Sequence, residues 1–149
     1  DLIVLGPGSL YTSLLPNLLV PEIVDALLNS NAPKIYISNL MTQPGETDGL
    51  DVGGHVRAIE AQLASFGIGK RLFKSILAQD EIDPSPLVDY YKARGAEPVT
   101  CDKRTLQSEG YQVIQAPLKG RRPTPTLRHD SRSLALAITR FYRGYKRKS

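Results

Sequence analysis

Two polar stretches of the sequence contain residue types that hold small ligands. The first, GPGSLYTS, combines two glycines with three hydroxyl side chains: Gly6, Gly8, Ser9, Thr12 and Ser13. Glycines let backbone N–H groups approach a ligand closely, and the amino end of a following helix favours negative charge. The stretch therefore suits a phosphate, and a plain strand-to-helix turn remains the alternative. It is neither a Walker motif, which ends in Gly-Lys-Ser/Thr, nor G-x-G-x-x-G, because Tyr11 stands at the third glycine position.

The second stretch, NLMTQPGETDG, concentrates hydrogen-bonding side chains around a Pro44-Gly45 turn. These side chains belong to Asn39, Thr42, Gln43, Glu46, Thr47 and Asp48. Amides and hydroxyls suit a sugar or the edge of a base. Glu46, Asp48 and Asp51 are oxygen donors of the kind that bind Mg²⁺, but a solvated acidic loop has the same composition and is the favoured interpretation.

A third candidate is Arg128, which stands with His129 just before the last predicted helix. Its guanidinium could bind a phosphate or carboxylate through two parallel hydrogen bonds, or it could pair with an acid of the chain. The two histidines, His55 and His129, and the lone Cys101 do not have the spacing of a zinc site. We therefore assign no catalytic residue and no metal ligand.

The elements that would position these residues alternate between strands and helices. Strands are predicted at 2–5, 34–38, 71–79, 97–101 and 111–116. Helices are predicted at 13–31 with breaks at Pro16 and Pro21, at 55–66, at 84–95, and after Asp130 as N-cap. This alternation predicts an α/β fold with a mostly parallel sheet and helices on both faces. Both polar loops follow strands, so they should meet at the carboxyl edge of the sheet.

The apolar run LIVL (2–5) is typical of a strand that is buried on both faces. We expect it to lie inside the sheet, with a neighbouring strand supplied by residues upstream of Asp1. The chain would then be the C-terminal part of a single longer α/β domain.

Composition restricts the class of protein. Of the 149 residues, 41% are hydrophobic and 23% are charged, as in soluble globular domains. A single cysteine and no apolar run long enough for a membrane span suggest a reducing, cytoplasmic location. The formal net charge is +4, and five cations without an acid fall within 140–149. We interpret that run as a solvated helix end and expect no nucleic-acid partner.

The motifs VLGPGSLYTSLLPNLL, MTQPGETDG and LRHD together resemble the YvcK family, also called gluconeogenesis factors, within the CofD-like superfamily. The resemblance extends from Asp1 to about Ile138 and is loose between Arg71 and Gly120. It implies a Rossmann-like fold whose N-terminal glycine-rich half is absent from this chain. It also implies a nucleotide-sugar ligand of the UDP-N-acetylglucosamine type, and a role in gluconeogenic growth, cell-wall precursor supply and cell shape.

The resemblance carries family roles over to particular residues. The glycine–serine turn and Asn17 would face the diphosphate, and the polar loop with Arg128 would complete the pocket. The loop residues concerned are Asn39, Thr42, Gln43, Gly45, Glu46 and Thr47. No catalytic role transfers, so the protein is expected to be a regulator and not an enzyme; a homodimer stays open.

Two alternatives remain. One is a CofD-like transferase that uses Mg²⁺ to move a phospholactyl group from a guanylyl carrier to a deazaflavin. CofD members share a Gly-Pro-Ser turn but lack MTQPGETDG, whose presence favours the regulator. The other is an interaction module that acts through the cationic end of the chain and needs neither polar loop.

Overall fold

Four parallel strands form one sheet in the order β1-β2-β3-β4. A computed structural model of the chain describes residues 1–119 and 126–147. The strands are β1 (Ile3–Leu5), β2 (Lys34–Ile37), β3 (Ser75–Gln79) and β4 (Gln112–Ala116). The helices are α1 (Pro21–Asn29), α2 (Val52–Ser65), α3 (Pro86–Lys92), α4 (Lys103–Ser108) and α5 (Ser131–Lys146). The predicted α/β class is confirmed.

The sheet is covered on both faces because alternate residues of its inner strands enter different cores. Tyr36 and Ile76 pack in one core, which also contains the apolar side of α2. Ile35 and Leu77 pack in the other core, with Phe141 of α5. Helices therefore lie on both faces, as predicted. Among the described helices, none is long and apolar enough to cross a membrane.

β1 lies at an edge of the sheet and pairs only with β2 within the described residues. Leu5 is buried, but Val4 is 40% exposed, so β1 is not buried on both faces in this chain. The physical reason is that no described strand covers its outer side. A neighbouring strand from elsewhere in a longer protein remains a prediction.

Three predicted boundaries need correction. α2 begins at Val52 and not at His55, because the Asp51 carboxylate caps it and accepts the Gly54 N–H at 2.6 Å. The third strand begins only at Ser75. The predicted helix at 13–31 is replaced by a π-helical turn (Leu10–Leu14), a 3₁₀ segment (Leu15–Leu19) and α1, which starts at the predicted break, Pro21.

The predicted strand at 97–101 is wrong. Pro98 forms only an isolated antiparallel bridge with Met41, outside the sheet. Proline has no N–H to donate to a ladder, and the residues on either side of Pro98 bond instead to the polar loop. α4 was not predicted; Asp102 caps this helix by accepting the Thr105 N–H at 3.1 Å.

α5 runs from the carboxyl edge of the sheet to the amino edge. It starts after Asp130, whose N–H donates to Leu118 O at 2.7 Å, just beyond β4. Near its other end, Phe141 and Tyr145 line a cavity together with Lys34 and Ser75, the first residues of β2 and β3. The cationic run therefore lies at the amino edge, and Lys148 lies outside the described residues.

Candidate functional site

The two polar loops meet at the carboxyl edge of the sheet. The Gly8 N–H donates to Asn39 Oδ1 at 3.3 Å, and the Ser9 hydroxyl donates to Glu46 Oε2 at 2.8 Å. Both contacts join residues more than thirty positions apart in the sequence. The predicted convergence of the two loops is confirmed.

The glycine turn passes close to the end of β2 because Gly6 has no side chain. Its φ is +81°, and a Cβ at this position would lie 2.8 Å from the Ile37 carbonyl oxygen. Beyond the turn, Ser9 Oγ accepts the Thr12 N–H at 3.2 Å and so caps the π-helical turn. That turn is five residues long, so it supplies far less helix dipole to an anion than the predicted long helix would.

A groove of about 390 Å³ runs beside the turn along the open edge of β1. Its volume falls within the range of small-ligand pockets, roughly 300–1,000 Å³. Four predicted site residues line it: Gly6, Gly8, Ser13 and Asn17. Asn17 is held by its Nδ2, which donates to the Ser13 carbonyl at 2.6 Å. Val4, Leu18, Ile23 and Leu27 supply apolar lining.

Two threonines of the polar loop are enclosed by the protein. Thr47 is fully buried, and its hydroxyl accepts the Gln43 N–H at 2.8 Å. Thr42 is 5% exposed, and its hydroxyl accepts the Glu97 N–H at 2.8 Å. In this arrangement both hydroxyls shape the loop, and the Asn39 and Glu46 side chains bond to the glycine turn.

The three acids considered for Mg²⁺ are engaged with separate partners. Glu46 accepts from Ser9, Asp48 Oδ2 accepts the Gly45 N–H at 2.7 Å, and Asp51 caps α2 and lies 3.5 Å from Arg57. Gly45 has a φ of +80°, so the turn that holds Asp48 also needs glycine. Within residues 1–119 and 126–147, no group of three or more His, Cys, Asp or Glu side chains is placed to hold a metal ion.

Arg128 lies near the carboxyl edge of the sheet, because the next residue, His129, is bonded there. His129 Nε2 donates to the Ser38 carbonyl, directly after β2, at 3.1 Å. Burial lowers the pKa of His129, and this hydrogen bond opposes the shift. The Arg128 side chain is exposed, and its guanidinium has no hydrogen-bond or ion-pair partner among the described residues. No hydrogen bond or ion pair joins it to either polar loop in this part of the chain.

Sequence reasoning gave no role at this edge to two polar residues, Ser38 and His129. Ser38 is 1% exposed, and its hydroxyl has no hydrogen-bond partner among the residues that the structure describes. The available signal was a serine at the carboxyl end of an otherwise apolar strand. His129 could be recognised only through its tertiary contact with Ser38.

Comparisons with known proteins agree on one family. The family model described as 2-phospho-L-lactate transferase CofD matches residues 1–119. A gluconeogenesis factor of Bacillus subtilis is 38% identical over 91% of this chain and 41% of its own length. The gluconeogenesis factor of Halalkalibacterium halodurans is 45% identical over 76% of this chain and 34% of its own length.

A solved structure agrees as well. The crystal structure of a UPF0052-family protein from Bacillus halodurans matches with a TM-score of 0.82 and 40% identity. The match covers 93% of this chain and 43% of that one. The chain thus spans less than half the length of each of these proteins.

Proposed function

The chain belongs to the CofD family, and on that premise we propose that it is part of a regulatory protein that binds a nucleotide-sugar of the UDP-N-acetylglucosamine type. The observation that carries the proposal is the meeting of the glycine turn and the polar loop beside a groove of ligand size. The proposal concerns the full-length protein, because this chain spans less than half the length of the relatives that it matches.

The groove and the turn provide suitable partners for a diphosphate. Ser13 and Asn17 supply polar groups in the groove, and Gly6 and Gly8 let the backbone lie close to a ligand. None of these groups carries a positive charge. Arg128 lies at the same edge without an ion pair in the described residues, so it is our candidate for neutralising the phosphates.

The polar loop provides partners for a sugar or a base. The Asn39 amide and the Glu46 carboxylate each bond to the glycine turn, and so they lie beside it. The Asn39 amide oxygen can also accept a hydrogen bond from a sugar hydroxyl. The relatives are named gluconeogenesis factors, so the regulated process would be growth on gluconeogenic carbon sources and, through the nucleotide-sugar, the supply of cell-wall precursors.

The second candidate is the transfer reaction in the name of the matched family model. In that case the same edge would hold a guanylyl-linked phospholactyl donor and a deazaflavin acceptor, with Mg²⁺ on carboxylates. Glu46, Asp48 and Asp51 each bond to a different partner within the chain, which favours the binding protein.

Parallel titrations of the full-length protein distinguish the two functions. We expect UDP-N-acetylglucosamine to bind without Mg²⁺, as followed by calorimetry. A guanosine diphosphate probe with Mg²⁺ should bind more weakly. Tighter binding of the guanosine diphosphate probe, together with turnover of a phospholactyl donor, would support the transferase function over the regulatory one. If neither ligand binds, both functions are rejected.

A further inference from the structure

The hydroxyl of Ser9 is fully used within the protein. Its oxygen accepts from the Thr12 N–H at 3.2 Å and from the Thr12 hydroxyl at 2.6 Å. Its single proton goes to Glu46 Oε2 at 2.8 Å. The donor that would face a phosphate is therefore already bonded to an anion that belongs to the chain itself.

We infer that Glu46 is a specificity-determining residue that competes with the ligand for the Ser9 hydroxyl. This inference rests on the proposed function, since it concerns the ligand of that site. A ligand must displace the carboxylate before Ser9 can donate to it. The family resemblance would make Glu46 a contact of the ligand. In this inference Glu46 is instead a competitor of the ligand.

The competition selects for the chemical class of the ligand. A ligand with a single carboxylate only exchanges one anionic acceptor for another at Ser9, so it gains little. A diphosphate carries more charge and more acceptor oxygens, and it can add contacts to Asn17, Ser13 and Arg128. Glu46 thus favours diphosphate-bearing ligands over simple carboxylates.

Displacement requires movement of one side chain and not of the loop. The backbone on either side of Glu46 is fixed, because its N–H donates to the Gln43 carbonyl at 3.0 Å and the next residue, Thr47, is buried. The Glu46 side chain itself is half-buried, so solvent can receive the carboxylate when it leaves Ser9.

The test measures binding of UDP-N-acetylglucosamine to the full-length protein as wild type, Glu46→Ala, Glu46→Gln and Asp48→Ala. Asp48 is the matched control because it lies on the same loop and carries the same charge, but bonds to Gly45 and not to Ser9. We expect Glu46→Ala to bind about three- to ten-fold more tightly, the range that follows from losing one net hydrogen bond in the free state. Glu46→Gln, which keeps an acceptor without the charge, should fall between wild type and alanine.

Other outcomes would reject either the inference alone or the proposed function as well. Weaker or unchanged binding by a folded Glu46→Ala would overturn the inference and leave the proposed function intact. Equal tightening by Asp48→Ala would assign the effect to overall charge and also overturn it. Absence of binding by every form, wild type included, would reject the proposed function, and the inference would fail with it. Thermal unfolding of each variant confirms that it is folded.

Discussion

At the level of single residues, the candidate site contains side chains that are open to a ligand and side chains that hold the site together. Arg128 is exposed without an ion pair in the described residues, whereas Thr47 is fully buried and bonded to Gln43. Replacing Arg128 and replacing Thr47 should therefore change different properties, ligand affinity and folding stability respectively. An open residue should change affinity and leave stability alone, and an enclosed residue should change stability first.

Arg128→Ala should weaken binding of UDP-N-acetylglucosamine by about 1.5–3 kcal/mol, the usual contribution of a hydrogen bond to a charged group. Arg128→Lys should restore only part of this, because an ammonium cannot form the paired hydrogen bonds of a guanidinium. Calorimetric titration of the full-length protein measures both. Arg132, also exposed and at the start of α5, is the matched control. Equal affinities for wild type and Arg128→Ala would remove Arg128 from the site.

Thr47→Val keeps the shape of the side chain but leaves the N–H of half-buried Gln43 without its acceptor. We expect the free energy of unfolding to fall by about 1 kcal/mol, the net contribution of one hydrogen bond. Urea denaturation measures it, with Thr139→Val on the exposed side of α5 as a control that should change stability by less than about 0.5 kcal/mol. A change no larger than in the control would show that the Thr47 hydroxyl does not hold the loop.

At the level of elements, the segment before α5 is attached to the end of β2 through His129 and the Ser38 carbonyl. Burial lowers the pKa of His129 below its usual 6.5, so the unfolded chain binds the proton more readily. Neutral His129 therefore makes its full contribution to the free energy of unfolding above about pH 6.5, and this contribution is lost as the pH falls below that value.

The variant that tests this contribution is His129→Gln, because the glutamine side chain does not titrate. Melting temperatures measured from pH 7.5 to pH 5 should fall more steeply for wild type than for this variant, and the difference should develop below about pH 6.5. Parallel pH profiles for the two proteins would show that His129 has the same pKa in the folded and unfolded chains.

The elements also show which features a sequence pattern can predict. Sequence patterns located α3, α5 and β2 because each has a distinct apolar segment, and Asp130 marks the start of α5 as its N-cap. They failed at 97–101, where Val99 packs into the core but its N–H donates to the Leu40 carbonyl of the polar loop and not to a strand of the sheet. They also placed the start of α2 too late, because Gly53 and Gly54 conceal the first turn that Asp51 caps.

The same limit applies to the candidate site. Residue types and the order of strands were enough to predict that the two polar loops meet. They could not predict that Ser9 and Glu46 bond to each other, or that Thr42 holds Glu97, because those contacts depend on the direction in which each loop folds back. Ser38 and His129 were given no role for the same reason, since they meet only across 91 positions of the chain.

At the level of the whole molecule, the open edge of β1 gives a prediction about the longer protein. The Ile3 N–H donates toward β2, to the Pro33 carbonyl at 2.9 Å, so the Val4 N–H points to the open side. If a strand from the rest of the protein pairs there, the Val4 amide should exchange with deuterium far more slowly in the full-length protein than in the 149-residue chain. Equal exchange rates would reject a neighbouring strand at this edge.

The course of α5 across the sheet separates two regions of positive charge. Its sixteen residues span about 24 Å, and the cations near its end lie at the edge opposite Arg128. Ions in a cell screen charges over about 8 Å, so a ligand at the carboxyl edge is insensitive to charge at the far end of α5. A fluorophore or a surface tether could therefore be attached near Arg143 to report on the protein while the electrostatics of ligand capture stay unchanged.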